Sequence, residues 1–164
     1  MDHAPTPWQL LYELERNGVV SGETGRLREF QEACCQFLAE FLPRDSEEWL
    51  RVARAYRFGE ATASELEEAR VAAWKHLGSA SCEVSNPKVA AVRAVLGLLY
   101  PDDWEYREDE PSRIGRFEAL DYFLDYSNRL VDRRDDQARL LRELFPELAA
   151  SSAEPKVAPD FGMT

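Results

Sequence analysis

Apolar residues recur every three or four positions along almost the whole chain, the spacing of one face of an α-helix. Trp8, Leu11, Tyr12 and Leu14 form the first such row. Thr6 offers a capping oxygen ahead of it, and Pro7 takes the first helical position, where its missing N–H costs nothing. Asn17-Gly18 ends the row, and a loop through Ser21-Gly22 is expected to follow. Leu27, Phe30, Cys34, Phe37, Leu38 and Phe41 then predict a helix from Thr24 to Phe41, stopped by Pro43.

Asp45 and Glu48 have the spacing of a capping box, ahead of a row through Trp49, Val52, Ala53 and Tyr56 that Gly59 closes. Thr62 and Glu65 form a second box, opening a helix from Ala63 to Leu77. Asn86-Pro87 restarts the chain, and Val89, Val92, Leu96 and Leu99 lead to Pro101. From Ile114 a long row runs through Phe117, Leu120, Leu124, Ser127 and Val131 to Ala138, Leu141 and Phe145. No apolar residue anchors the stretch from Asp132 to Asp136, so the chain is expected to bend or break there.

Val19-Val20 and Cys82-Glu83-Val84 are too short to predict strands. The expected fold is all-α: a compact bundle of six or seven helices with short loops and an irregular C-terminal tail. Residues 1–146 read as a single helical domain and 147–164 as the tail, where Ala, Ser and Pro occur without period. Phe41-Leu42-Pro43, Leu99-Tyr100-Pro101 and Leu144-Phe145-Pro146 share one stop device: proline blocks continuation after a large residue.

The 164 residues carry 31 acids against 20 bases, a formal net charge of −11. A field of that sign repels phosphate backbones and anionic lipid, so nucleic acid and membranes are not the expected partners. It attracts a basic protein. Nothing approaches the apolar run of a membrane span, and the N-terminus lacks the pattern of a signal peptide. Three cysteines, Cys34, Cys35 and Cys82, form an odd set with two adjacent members, which suits a reducing, cytoplasmic setting. Cys34 and Cys82 read as small core residues and Cys35 as partly exposed.

Catalytic and metal-binding patterns are weak. A zinc site would need Cys34 or Cys35 with His76 and Cys82, and His3 is the only other histidine. A thiol nucleophile would need His76 as its base, but His76 suits the last turn of its helix by charge alone. Asp121 and Asp125 share a helical face, Asp132, Asp135 and Asp136 cluster, and Glu67-Glu68 lie on a charged face. Solvated surface accounts for all of them, while acid–base chemistry would require a cleft. The stretch Gly22-Glu23-Thr24-Gly25 lacks the Lys-Ser/Thr of a phosphate loop, and Arg51, Arg54 and Arg57 are too few for a nucleic-acid groove. No cofactor is expected.

Trp49 and Trp74 fall on core rows, whereas Trp104 sits with Tyr106 inside the acidic run of residues 101–112. Aromatic residues among acids either fold back as a lid or anchor a basic partner. Asp102, Asp103, Trp104, Tyr106, Glu108, Asp109 and Glu110 are therefore the candidate partner-binding residues.

Leu27-Arg28-Glu29-Phe30-Gln31-Glu32-Ala33-Cys34-Cys35 with Trp49, Val52-Ala53-Arg54-Ala55-Tyr56-Arg57-Phe58-Gly59, Glu65-Leu66-Glu67-Glu68-Ala69-Arg70 and Gln137-Ala138-Arg139-Leu140-Leu141-Arg142-Glu143-Leu144-Phe145 follow one another in that order. The set resembles an uncharacterised all-helical protein family common in planctomycetes and related bacteria. The chain departs from that pattern in placing Pro146 after the final Leu-Phe. The resemblance implies a fold and no activity. A looser likeness to small acidic helical immunity proteins implies an inhibitor of a basic toxin. Three functions follow as expectations: a non-enzymatic acidic interaction module, an immunity protein of that kind, or an enzyme using carboxylates of the C-terminal helix.

Overall fold

The computed structural model describes residues 3–22, 24–101, 116–129 and 132–151. Among the described residues there are nine α-helical segments and no strand: α1 Pro7–Arg16, α2 Val19–Gly22, α3 Thr24–Gln36, α4 Ser46–Arg57, α5 Ala63–Leu77, α6 Pro87–Leu96, α7 Arg116–Asn128, α8 Arg134–Leu144 and α9 Glu147–Ser151. Short 3-10 turns occupy Ala39–Phe41 and Gly78–Ala80. The molecule is thus the all-helical bundle that the apolar rhythm predicts. No helix among the described residues is long and apolar enough to cross a membrane.

Local chemistry sets several helix ends. Thr6 Oγ1 accepts the Gln9 N–H while Gln9 Oε1 accepts the Thr6 N–H, closing a reciprocal box at the start of α1. Thr62 and Glu65 do the same for α5. Asn86 caps α6 by accepting from the Lys88 N–H, with Pro87 in the first turn. Gly59, at φ 74°, provides the left-handed conformation that turns the chain after α4.

The expected Asp45–Glu48 box does not form. Asp45 has helical backbone angles and no side-chain cap bond, because the turn starts one step earlier with Ser46 Oγ donating to the Pro43 carbonyl. Glu48 instead takes a bidentate pair from Arg51, one turn along α4. The expected loop at Ser21-Gly22 is the end of α2, seated by the buried Val20. The helix expected to reach Phe41 ends at Gln36 and resumes only as the 3-10 turn.

α6 is the hub. Val89, Ala90, Ala91, Val92, Ala94, Val95 and Leu96 are all buried, so it is covered all round, as a central helix must be. It packs against α3, α4, α5 and α7, and its alanines let neighbouring backbones approach closely. α1, α3, α7 and α8 complete the core with Leu11, Leu14, Leu27, Phe30, Leu120, Leu124, Leu141 and Phe145. Phe30 meets Phe123 edge to face at 6.5 Å between ring centres.

Guanidinium groups stitch the helices together. Arg28 is 4% exposed, and it donates to the carbonyls of Gly97 at 2.6 Å and Tyr100 at 3.0 Å. Arg70 donates to the Leu99 carbonyl and lies over the Tyr100 ring. Two cations thus meet the orphan carbonyls where α6 ends, which is favourable in both hydrogen bonding and helix-dipole terms. Arg93 lies over both Trp74 and Tyr126, joining α5 to α7 across α6.

The long C-terminal row is divided between α7, which ends at Asn128, and α8, which starts at Arg134 within the stretch Asp132 to Asp136. Asp135 and Asp136 lie in the first turn of α8, where acids suit the helix N-terminus. Ile114 and Val131 of that row lie outside the described residues. The irregular tail expected from Glu147 begins with α9, whose Leu148 is buried against the core. Residues 152–164 lie outside the described residues.

Candidate functional site

The candidate partner-binding residues Asp102, Asp103, Trp104, Tyr106, Glu108, Asp109 and Glu110 lie outside the described residues. What the structure does place is the remaining chemistry.

Cys34 and Cys35 are both buried on α3 and Cys82 is exposed, which reverses the expected burial of Cys82 and exposure of Cys35. The reversal arises because α3 is enclosed at both positions by its neighbours, while Cys82 falls in the turn between α5 and α6. Burial pushes the Cys34 thiol well above its usual range, with Cys35 adding to the rise. Burial does the same to Cys35, reinforced by Glu32. Such thiols stay protonated and unreactive. His76 packs edge to face on Trp49, 5.8 Å between centres, away from any cysteine cluster. Among the described residues no group of three or more His, Cys, Asp or Glu side chains is arranged to hold a metal.

The carboxylates considered for catalysis do not converge. Asp125 pairs with Arg129 at 2.7 Å, one turn along α7. Asp132 binds Arg134 through both the side chain and the backbone N–H, and these bonds hold its carboxyl down at about 2. Asp121 lines a groove between α1 and α7. The arginine row on α4 is likewise engaged. Arg51 holds Glu48, while Arg57 at 2.8 Å and Arg54 at 3.5 Å hold Glu32 of α3. Trp74, expected in the core, is half-buried with Arg93 over its ring, and its Nε1–H donates to the Tyr100 hydroxyl.

Three concavities lie among the described residues. A notch between α3, α4 and the end of α6 has about 10 Å³ of space, room for a single water. A shallow trough of about 400 Å³ runs along the outer face of α5 between Glu67, Glu68, Val71 and Lys75. The third is the α1–α7 groove, about 330 Å³, lined by Trp8, Gln9, Leu11, Tyr12 and Asp121. Its walls are almost wholly apolar, and Tyr12 remains 60% exposed. Trp8, Leu11 and Tyr12 lie on one face because they are three and four residues apart. That spacing also gave Tyr12 the appearance of a core residue. Only the approach of α7 shows that Leu11 faces inward while Tyr12 forms the groove wall.

No protein-family model, no curated protein and no solved structure matches this chain. The functional reading therefore rests on the molecule's own surface.

Proposed function

We propose that this chain is a non-enzymatic acidic interaction module whose partner is a basic protein. The observation that carries this reading is how the charges are distributed. Arg26, Arg28, Arg57, Arg70, Arg93, Arg129 and Arg134 are turned onto carboxylates, carbonyls, hydroxyls and rings of the same molecule. Glu29, Glu47, Glu60, Glu67, Glu68 and Asp121 are exposed and carry no ion pair among the described residues. Arg16, Arg44, Lys75, Lys88 and Arg142 are exposed as well and carry no ion pair among the described residues, but with 31 acids against 20 bases in the chain the excess that acts outward on whatever approaches is acidic.

The test is capture by the immobilised full chain from lysate of its source cells, followed by titration with the purified partner. The expected partner is basic, and its affinity falls steeply as ionic strength rises from about 0.05 to about 0.5 M, as screening requires. Trp104→Ala, in the acidic run, is expected to weaken capture. A partner that is acidic or indifferent to salt would overturn the reading. So would the absence of any saturable partner.

A further inference from the structure

We propose that the outer face of α5 pairs antiparallel with the same face of a second copy of this chain, in a two-fold dimer that sets Glu68 of one protomer against Lys75 of the other. This dimer is independent of the basic-partner reading.

Residue spacing builds the face. Leu66, Ala69, Ala73 and Leu77 are buried on the side of α5 that packs on α4 and α6. Ser64, Glu68, Val71 and Lys75 follow one another at four, three and four residues, a straight row on the opposite side. All four are exposed, Val71 at 44%, and they line the trough with Glu67 and Ala72. Among the described residues, α5 alone lines this trough. Ser64 and Ala72 are small, so a second helix can approach closely there.

The row carries charges that its own helix cannot pair. Glu68 has Ser64, Glu65, Val71 and Ala72 one turn away, and Lys75 has Val71, Ala72, Gly78 and Ser79. Neither finds an opposite charge there, and neither carries an ion pair among the described residues. Neighbouring charges are already engaged. Arg70 is turned onto the Leu99 carbonyl and the Tyr100 ring, Glu65 closes the Thr62 box, and His76 lies against Trp49. On α4, Arg51 holds Glu48, while Arg54 and Arg57 hold Glu32. The face is thus left with acids at one end, Glu67 and Glu68, and one lysine at the other, about 10 Å apart along the axis. An antiparallel copy reverses that order. With the two-fold axis between Val71 and Ala72, Glu68 meets Lys75, Lys75 meets Glu68 and Val71 meets Ala72, all in one contact. A parallel copy would set like charges against each other.

The contact is small. One helix face of this length falls short of the roughly 1,200 Å² that stable interfaces bury, and two chains of net charge −11 repel each other. The dimer is therefore transient, with Kd on the order of 0.1–1 mM at about 0.15 M salt, where a Debye length of about 8 Å screens distant charges and spares contacting pairs.

Sedimentation equilibrium of the full chain at that salt, from about 0.02 to about 2 mM, is expected to show the mass rising from monomer toward dimer. Lys75→Glu and Glu68→Lys, both at exposed positions, each place like charges in both symmetric pairs at once. Each is expected to weaken self-association roughly tenfold and leave the far-UV spectrum unchanged. An equimolar mixture of the two variants again opposes unlike charges, and is expected to recover the wild-type association as a heterodimer. Crosslinking fixes the direction. In a Cys82→Ser chain, Val71→Cys lies at the two-fold axis and is expected to form a disulfide dimer under mild oxidation, whereas Ser64→Cys, about 22 Å from its copy, is not. A chain that stays monomeric throughout overturns the inference. So does a dimer that both charge variants leave intact, a mixture that recovers nothing, or equal crosslinking at positions 64 and 71. Capture of a basic partner decides the other reading separately.

Discussion

Asn128 Nδ2 donates to Gln137 Oε1 at 2.7 Å, across the gap between the end of α7 and the start of α8. The same Asn128 amide also donates to the Leu124 carbonyl, and Asn128 Oδ1 accepts the Arg133 N–H. Gln137 Nε2 donates to Ser127 Oγ, which itself donates to the Leu124 carbonyl. Both amides are thereby satisfied on donor and acceptor sides, in a place where Ser127 and Gln137 are 1% exposed. The helix ends here because these side chains supply partners that a continuous backbone would otherwise have supplied.

Removing one member should cost more than one ordinary hydrogen bond. Gln137→Leu keeps the volume but removes two hydrogen bonds, from Asn128 Nδ2 to Gln137 Oε1 and from Gln137 Nε2 to the buried Ser127 Oγ, so a loss of about 2–3 kcal/mol is expected. Urea unfolding of the variant and of wild type, compared at equal slope, measures it. A change within experimental error would show that the network contributes nothing to the break.

The end of α6 makes a second prediction. Arg28→Met fills the same space and leaves the Gly97 and Tyr100 carbonyls without their charged donor. A destabilisation of about 2–3 kcal/mol is expected from bonds to a charged group. Arg28→Lys should recover only part of it, because a single ammonium cannot reproduce the fork. Full recovery by lysine would refute the geometric account.

The cysteines differ in accessibility and in acidity. A thiol reagent at neutral pH should label Cys82 rapidly and leave Cys34 and Cys35 untouched until the protein unfolds. Mass spectrometry of the labelled peptides distinguishes the three sites, and early label on Cys35 would contradict its burial.

The loop between α7 and α8 gives a pH signature. Bonds from the Arg134 side chain, then its backbone N–H, hold Asp132 at about 2 in the folded chain. A depressed folded value means the contribution is present above the ordinary carboxyl range and is lost as pH falls through about 2. Carboxyl-carbon NMR should place the Asp132 midpoint there, and Arg134→Ala should move it up toward the ordinary aspartate value. An unchanged midpoint in the variant would remove Arg134 as the cause.

The C-terminal segment is tied down by Arg26, which pairs twice with Glu147, bonds the Leu144 carbonyl and lies over the Phe145 ring at 4.5 Å. The same bonds hold the Glu147 carboxyl below its usual range, with the Arg26 side chain the largest cause. Nothing in the apolar rhythm announces this contact. Arg26 and Glu147 are far apart along the chain, and an Ala-rich tail looks loose until α1 and α8 offer Leu148 a place to bury.

The same division runs through the molecule. Helix ends written in short range were legible: the Thr6, Thr62 and Asn86 caps and Gly59 form where their residue types call for them. The Asp45–Glu48 pair misled because the turn begins at Pro43 and leaves Asp45 helical, while Glu48 pairs with Arg51 one turn along. Sequence by itself determined that this chain folds as amphipathic helices, since period and capping depend on residues within one turn of each other. Tertiary structure alone decided which of two adjacent positions became wall or core, where the last helix anchored, and that Trp8, Tyr12 and Asp121 share one groove. Those outcomes depend on residues more than a hundred positions apart meeting in space, and an apolar period carries no information about which helix will cover it.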